Sequence, residues 1–256
     1  MDTKLALDRL TYTGSTDPVL SNLQALQLAF LYSVPFENLD IHLGREIRLD
    51  PERIYRKIVE EKRGGFCYEC NTLFHALLGA LGFEVRFAAA KMISDTALDS
   101  DFNHMVLVVN LDEGEFLVDV GNGQSCLQPM RLHGEDEAQH EGIEDRLGEY
   151  EDRLGLFFRS DEQDWTVRFS FTSVSRQTRD FVDICQLTQQ SPDSLFTQNR
   201  IVTLALPDGR LTLAGRELEE KRAGRNRKRV LESTQELQEV LAESFGIHLD
   251  SIPSNW

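Results

Sequence analysis

The segment Arg63-Gly-Gly-Phe-Cys67-Tyr-Glu-Cys70-Asn71 concentrates residue types that can do chemistry. Two glycines permit a tight turn and a close backbone approach. Helical periodicity begins just after them, so Cys67 falls at or near a helix N-terminus. Unpaired N–H groups and the positive end of the helix dipole favour a thiolate there and predict a lowered pKa. The thiolate is the nucleophile, and the same N–H groups could hold an oxyanion formed on attack. The plain alternative is a small buried residue at a helix start.

A nucleophilic cysteine needs a base, and the base needs an orienting group. His104 heads the apolar run His104-Met-Val-Leu-Val-Val109, and Asp119 lies within Phe116-Leu-Val-Asp-Val-Gly121. A carboxylate in an apolar strand must find a partner, because burying it alone costs several kcal/mol. Cys, His and Asp thus occur in that order on a helix start and two strands. Taken singly, His104 also reads as a satisfied core histidine and Asp119 as a strand-end cap. The register is the difficulty. A two-residue turn at Glu113-Gly114 pairs residues whose numbers sum to 227, setting Asp119 opposite Val108 and about 13 Å along the strand from His104. A triad requires a sum nearer 223, or a bulge.

The remaining signals are weaker. Cys67-Tyr-Glu-Cys70 is a C-x-x-C, the spacing of a redox pair or half a zinc site. No second pair exists, since Cys126 and Cys185 stand alone, and no metal is expected. His42, His75, His133, His140 and His248 have no pattern around them.

Several elements must position these residues. Asp17-Pro18 and Asp50-Pro51 are helix starts with Pro at the first position. They are followed by the stripes Leu20, Leu23, Leu26, Phe30, Leu31 and Ile54, Tyr55, Ile58, Val59. A third helix opens after Gly64-Gly65 and closes at Gly82. Strands are expected at Phe83–Met92, His104–Asn110, Phe116–Val120, Trp165–Val174, Ile201–Leu206 and Arg210–Leu213. Ser233 and Glu236 form a capping box for a last helix that ends at Gly246. Between Glu135 and Asp152 lie nine carboxylates against one cation, Arg146, half of the net charge of −16. That tract reads as a solvated loop or insertion. The run Arg222–Arg229, with Arg225, Arg227, Lys228 and Arg229, reads as a solvated loop able to meet an anion.

Composition narrows the class. The chain has 256 residues, 43 acidic against 27 basic, and 41% apolar. Such a chain buries a sizeable core without disulfides. Its charge argues against nucleic acid or an anionic membrane as partner. No apolar run approaches the ~20 residues of a bilayer span, the start lacks a secretory apolar stretch, and four cysteines are too few for a disulfide scaffold. A cytoplasmic setting is expected.

The sequence resembles the arylamine N-acetyltransferase family of bacterial type. The resemblance rests on Val34-Pro-Phe-Glu-Asn-Leu39, Arg63-Gly-Gly-Phe-Cys67 with Glu69 and Asn71, His104-Met105, and Val118-Asp-Val-Gly121 with Gly123. Further on it rests on Asp180-Phe181, Ser191-Pro-Asp-Ser194 with Phe196, and Asp208-Gly-Arg-Leu-Thr-Leu213. It implies an α+β fold with a core similar to cysteine proteases and transglutaminases. Its parts are an N-terminal helical bundle (1–82), a central β-barrel (83–185) and a C-terminal α/β lid (186–256). It implies Cys67 as nucleophile, His104 as base, Asp119 as orienter, and Glu37 with Arg63 as a buried supporting ion pair. The implied reaction is ping-pong acetyl transfer from acetyl-CoA to the nitrogen of arylamines or hydrazines, or the oxygen of N-hydroxyarylamines. Phe36, Phe66, Tyr68, Phe102, Gly121, Asn122 and Gly123 are the candidate pocket and oxyanion residues. Asn122 stands where the family usually carries Phe, Cys185 where Asn is common, and Cys70 where an apolar residue or Gln is usual. Rival readings are a thiol hydrolase, amide synthase or transglutaminase-like enzyme on the same triad, a non-catalytic binding protein, and a redox protein that depends on Cys70.

Overall fold

The computed structural model describes residues 1–94, 97–124, 126–134, 137–160, 163–250, 252–253 and 256. Helices come first: α1 (Thr3–Arg9), α2 (Leu20–Ser33), the short strand β1 (Phe36–Glu37), α3 (Leu39–His42), α4 (Pro51–Tyr55) and α5 (Cys67–Ala80). The two Asp-Pro signals behave differently. Asp50 caps α4, its side chain accepting from the Glu52 N–H with Pro51 at the first turn. Asp17 instead joins Ser15 and Asn22 in a preceding turn, and α2 starts later, at Leu20. A π turn, Arg56–Glu60, extends α4. Helix α5 ends at Leu81, and Gly82 follows with φ +91°.

The middle of the chain is a barrel-like sheet. Its strands are β2 (Glu84–Met92), β3 (His104–Leu111), β4 (Gly114–Val118), β5 (Met130–Arg131), β6 (Glu137–His140), β7 (Ile143–Tyr150), β8 (Arg153–Ser160) and β9 (Thr166–Phe171). They run in the order β5-β4-β3-β2-β9-β8-β7-β6, all neighbours antiparallel. The edge strand β5 approaches β7, which nearly closes the sheet. Strand β3 is buried on both faces, which explains its unbroken apolar run. Met105, Leu107 and Val109 join the core beneath α5, whereas Val106 and Val108 fill the barrel with Ala88, Ala90, Leu117, Phe169 and Phe171.

The acidic tract corrects an expectation. Its described residues are not a loop: Glu137–His140 and Ile143–Tyr150 are strands of the barrel. Their acids mostly face out, while Ala138, His140 and Asp145 are buried.

After a 3₁₀ turn (Thr178–Phe181) come α6 (Val182–Gln190), α7 (Leu195–Gln198), β10 (Ile201–Leu206), β11 (Gly209–Ala214), β12 (Glu217–Arg222), β13 (Arg225–Val230) and α8 (Thr234–Phe245). The basic run is likewise an exposed hairpin, β12–β13, rather than a loop. Strand β1 completes this second sheet in the order β1-β10-β11-β12-β13. Helix α8 packs on it through Leu237, Val240, Leu241 and Phe245. Ser233 accepts from the Glu236 N–H, and Gly246 closes the helix in the left-handed conformation. Asn38 staples the helical part to this sheet, donating to the Phe196 and Asn199 carbonyls and accepting from the Ile201 N–H. Among the described residues no helix is long and apolar enough to cross a membrane.

Candidate active site

Cys67 is the first residue of α5, and the loop before it is locked against β1. The Gly65 N–H donates to the Pro35 carbonyl, and the Glu37 N–H to the Gly65 carbonyl. A Cβ on Gly64 would lie 2.0 Å from the Pro35 oxygen, so only glycine allows this approach.

Beneath the loop lies the expected pair, enlarged. Arg63 donates to Glu37 Oε1 through Nε (3.0 Å) and Nη2 (2.7 Å), and Nη2 also reaches Asp40 Oδ1 at 3.0 Å. Lys57 Nζ binds Asp40 at 2.8 Å and Glu69 at 2.9 Å. Glu69 in turn accepts from the Phe66 N–H, one residue before the cysteine. Burial opposes the charge of Asp40, yet Lys57 and Arg63 hold its carboxyl below the ordinary range. For Glu69 burial prevails over Lys57, and its carboxyl is raised. Asp40, Lys57 and Glu69 were not foreseen as members. The signal for Lys57 was its place among Ile54, Tyr55, Ile58 and Val59 on an inward stripe. Removing Glu37 or Arg63 alone unbalances this buried network, and breaking a buried pair from one side costs up to about 3–5 kcal/mol.

His104 and Asp119 meet. His104 Nε2 lies 2.8 Å from Asp119 Oδ2, with both side chains buried. The register that permits this is neither of those weighed from sequence. Leu107 pairs with Val118 and Leu111 with Gly114, so the numbers sum to 225 and the turn is Asp112-Glu113. The ladder ends at Val118, and Asp119 sits just beyond it, free to bring its carboxylate back to the ring.

Asn71, one helical turn after Cys67, ties the three segments together. Its Nδ2 donates to Asp119 Oδ1 (3.0 Å) and to the carbonyl of Met105 (2.8 Å), which follows His104. Its Oδ1 accepts from the Val120 N–H at 3.1 Å. The Gly121 N–H also donates to Asp119 Oδ1, at 2.8 Å. Gly121 is pressed on the cysteine: a Cβ there would lie 2.6 Å from both Cys67 Cα and Asn71 Nδ2. Burial would raise the Asp119 carboxyl, but His104 and these donors hold it below the ordinary value. Nε2 faces Asp119, which leaves Nδ1 as the ring nitrogen outside that pair.

The expectation of a lowered Cys67 pKa does not survive burial. Burial pushes the thiol well up, and nearby Cys185 and Asp119 add to this; the Tyr68 N–H at the helix start pulls the other way and is outweighed. A lone Cys67 thiolate is therefore disfavoured by burial. Cys70 donates its S–H to the Gly65 carbonyl, and all four cysteines are free and buried, so Cys67 and Cys70 form no disulfide.

The predicted aromatic residues form one packed series. Phe36 meets Phe196, Phe196 meets Phe66, Phe66 meets Tyr68, and Phe181 links Tyr68 to Phe102. Phe66 and Tyr68 are wholly buried, and Tyr68 donates its hydroxyl to the Phe102 carbonyl. Beside this series lies an apolar cleft of about 130 Å³ whose walls include Met92, Leu98, Thr188 and Phe196, and none of Phe36, Phe66, Tyr68 or Phe102. Gly123, with φ +74°, packs on Phe36 and Thr203, and Asn122 is half-buried between the two glycines. No group of three or more His, Cys, Asp or Glu able to hold a metal occurs among the described residues.

This arrangement of helix start, barrel strands and second sheet has relatives. The profile of the N-acetyltransferase family matches residues 19–253. The arylamine N-acetyltransferase of Mycobacterium tuberculosis is 33% identical, with 98% of this chain and 91% of the relative covered. That of Escherichia coli is 32% identical over 94% of this chain and 87% of the relative. The solved structure of the Mycobacterium marinum arylamine N-acetyltransferase in complex with CoA superposes with a TM-score of 0.88 at 32% identity, covering 96% of this chain and 93% of that one. By family profile, sequence and fold alike, the chain belongs to the arylamine N-acetyltransferase family.

Proposed function

We propose that this enzyme moves an acetyl group from acetyl-CoA to the nitrogen of an arylamine or arylhydrazine, through an acetyl thioester on Cys67. The observation that carries the reading is the His104–Asp119 contact, held by an Asn71 that rides on the helix of the cysteine. In the first half-reaction the Cys67 proton passes to His104 Nδ1 as the sulfur attacks the thioester carbonyl. Charge is then created within a neutral pair, which suits a sulfur too buried to ionise alone. Asp119 fixes the ring tautomer and steadies the imidazolium. This reading assigns the oxyanion to the N–H groups at the helix start, that of Tyr68 among them. Collapse expels CoA as its thiol, with the proton returned by His104. In the second half-reaction the amine attacks acetyl-Cys67, His104 takes its proton, and the thiol is regenerated with the amide.

Arylamines are weakly basic and remain neutral nucleophiles at pH 7, unlike alkylamines. The hydroxyl of an N-hydroxyarylamine can use the same acyl enzyme. Thioester exchange is nearly balanced, so the intermediate can await its acceptor. The same reading divides the chain into a helical bundle (1–82), a barrel (83–185) and an α/β lid (186–256), with a thiol-protease-like core. It places the protein in the cytoplasm, where four free thiols stay reduced.

The test is intact mass after mixing with acetyl-CoA and no amine. A gain of about 42 Da, absent in Cys67→Ala, is expected from one acetyl thioester. A folded wild-type protein that gains no mass, or a Cys67→Ala variant that still does, contradicts the assignment.

A further inference from the structure

The segment that carries the orienting carboxylate has little backbone pairing to hold it. Strand β4 ends at Val118, and among the described residues Asp119–Gly123 makes no backbone-to-backbone hydrogen bond. Side chains hold it instead. Asn71 accepts from the Val120 N–H, the Gly121 N–H turns back on Asp119, and Asn122 has a partner as well. The far end is held from the second sheet, where Arg210 of β11 donates through Nη1 to the Gly123 carbonyl.

Arg210 is itself held by the acidic tract. Its side chain is 9% exposed, and its Nε and Nη2 each lie 3.0 Å from an oxygen of Glu141, whose side chain is 10% exposed. Glu141 opens the two-residue turn between β6 and β7. The guanidinium thus meets a carboxylate with two nitrogens and a carbonyl with the third, which also reaches the Thr203 hydroxyl at 3.4 Å. A lysine, a point charge without a fork, cannot reproduce this fixed geometry.

Two routes run from Arg210 to the cysteine. Along the chain, Gly123 leads back to Asp119 and to Gly121, where a Cβ would lie 2.6 Å from Cys67 Cα. Across the sheets, a Cβ on Gly123 would lie 3.2 Å from Thr203 Cγ2 and 3.4 Å from the Phe36 ring. Phe36 pairs with Thr203 and bridges to Gly65, two residues before Cys67.

We infer that Arg210 is a positioning residue for acetyl transfer, and that Glu141 of the acidic tract serves the reaction through it. This rests on the Cys67 reading proposed above. Among the described residues the pair's hydrogen bonds go to Gly123, Thr203 and each other. Their effect on Cys67 therefore passes through the backbone they hold. An ångström of misplacement at a reacting centre costs about 100-fold in rate, so the anchor of that backbone is felt in kcat.

The experiment measures kcat, the KM for acetyl-CoA and the thermal midpoint in Arg210→Met, Glu141→Gln and the double variant. Arg210→Met is expected to lower kcat by about 10- to 100-fold, and Glu141→Gln by about tenfold, with KM changed far less. Glu141→Gln should add little to Arg210→Met, because its path to the site is already cut. Arg210→Lys should restore the midpoint more than kcat. A merely structural pair would lower the midpoint and leave kcat, measured well below it, at the wild-type value. That result overturns the inference, as do additive losses of kcat. A raised KM at unchanged kcat also overturns it, making Arg210 a contact of CoA. Should Arg210→Met not fold, the near-isosteric Glu141→Gln and Arg210→Lys carry the same test. Acetylation of Cys67 is followed by mass in a single turnover and is expected to slow with kcat in the variants. A wild-type enzyme that never acetylates defeats the Cys67 reading itself. Variants that acetylate as fast as an active wild type defeat only the role of Arg210 and Glu141.

Discussion

Among the described residues the chain contains two buried His–Asp pairs with the same bond pattern. His104 Nε2 lies 2.8 Å from Asp119 Oδ2, and His140 Nε2 lies 2.6 Å from Asp145 Oδ2. By distance and burial the second is the tighter pair. Their surroundings separate them. The other oxygen of Asp119 accepts from Asn71, one helical turn after Cys67, and from the N–H of Gly121, which packs on Cys67. The other oxygen of Asp145 and the Nδ1 of His140 have no hydrogen-bond partner among the described residues. The cysteine near Asp145 is Cys126, which burial, with Asp145 next in effect, pushes up to about 12. That thiol sits in the barrel core, where the Gln128 backbone N–H pulls against burial and is outweighed, as the Tyr68 N–H is at Cys67. A His–Asp pair is thus not itself a catalytic device. What distinguishes His104–Asp119 is that one donor fixing its carboxylate, Asn71, lies on the helix that begins with Cys67, and the other, the Gly121 N–H, is pressed against that residue.

The largest test of that distinction is Asp119→Asn. The fold should persist, because Asn retains a partner for His104, but the ring is then offered the wrong tautomer. Turnover is expected to fall by about 10³–10⁴-fold. Near-normal kcat would place the orienting group elsewhere. Asp145→Asn inverts the pattern. It should cost about 1–3 kcal/mol of stability, the usual penalty for impairing a buried hydrogen-bonded group, while kcat changes no more than a few-fold. Denaturant unfolding and steady-state rates measured on one preparation separate the two outcomes. A large loss of turnover at unchanged stability in Asp145→Asn would mean that the second pair serves the reaction.

The same contrast marks what could be read from residue types. Cys67, His104 and Asp119 were legible because each is a chemical residue in a locally unambiguous setting: after two glycines, at the head of an apolar run, and inside another. Their register was not. Glu113-Gly114 has the composition of a hairpin turn, but the turn is Asp112-Glu113, and Gly114 begins β4 with φ +125°. A glycine that leaves a turn looks, in sequence, like one that makes it. His140 and Asp145 were hidden for a different reason. They lie in a tract whose outward charges mask the period of two that buries Ala138 and His140 on β6 and the pairing that sets Asp145 of β7 opposite Ala138. In the basic run, the Glu217 and Glu219 that offset Lys228 lie on the facing strand, β12, and the Glu220 that offsets Arg222 lies beside it on that strand. Of the ionic network, Asp40, Lys57 and Glu69 escaped notice because the partners are 12 to 26 positions apart and no local pattern links them. Local signals placed the elements, and long-range pairing decided which of them meet.

The smallest expected effect concerns acid stability, and it tests whether Asp119 is held ionised by its partners. Its carboxyl is depressed in the folded protein, so in the unfolded chain it binds a proton first as the pH falls. The stability it supplies is present above the unfolded value of about 4 and is lost as the pH drops through the lower folded value. Wild-type stability should therefore fall between about pH 4 and the depressed value, in part through this group. Asp40, held low by Lys57 and Arg63, contributes in the same direction and is unaltered by changes at position 119. Asp119→Asn has no proton to take up there, so its unfolding midpoints should decline less steeply over that range. Their difference from wild type should be largest near neutrality and should narrow in acid. Parallel curves would mean that the carboxylate gains nothing from His104, Asn71 and the Gly121 N–H. The feature that sets this pair apart from His140–Asp145 would then be geometry without energy.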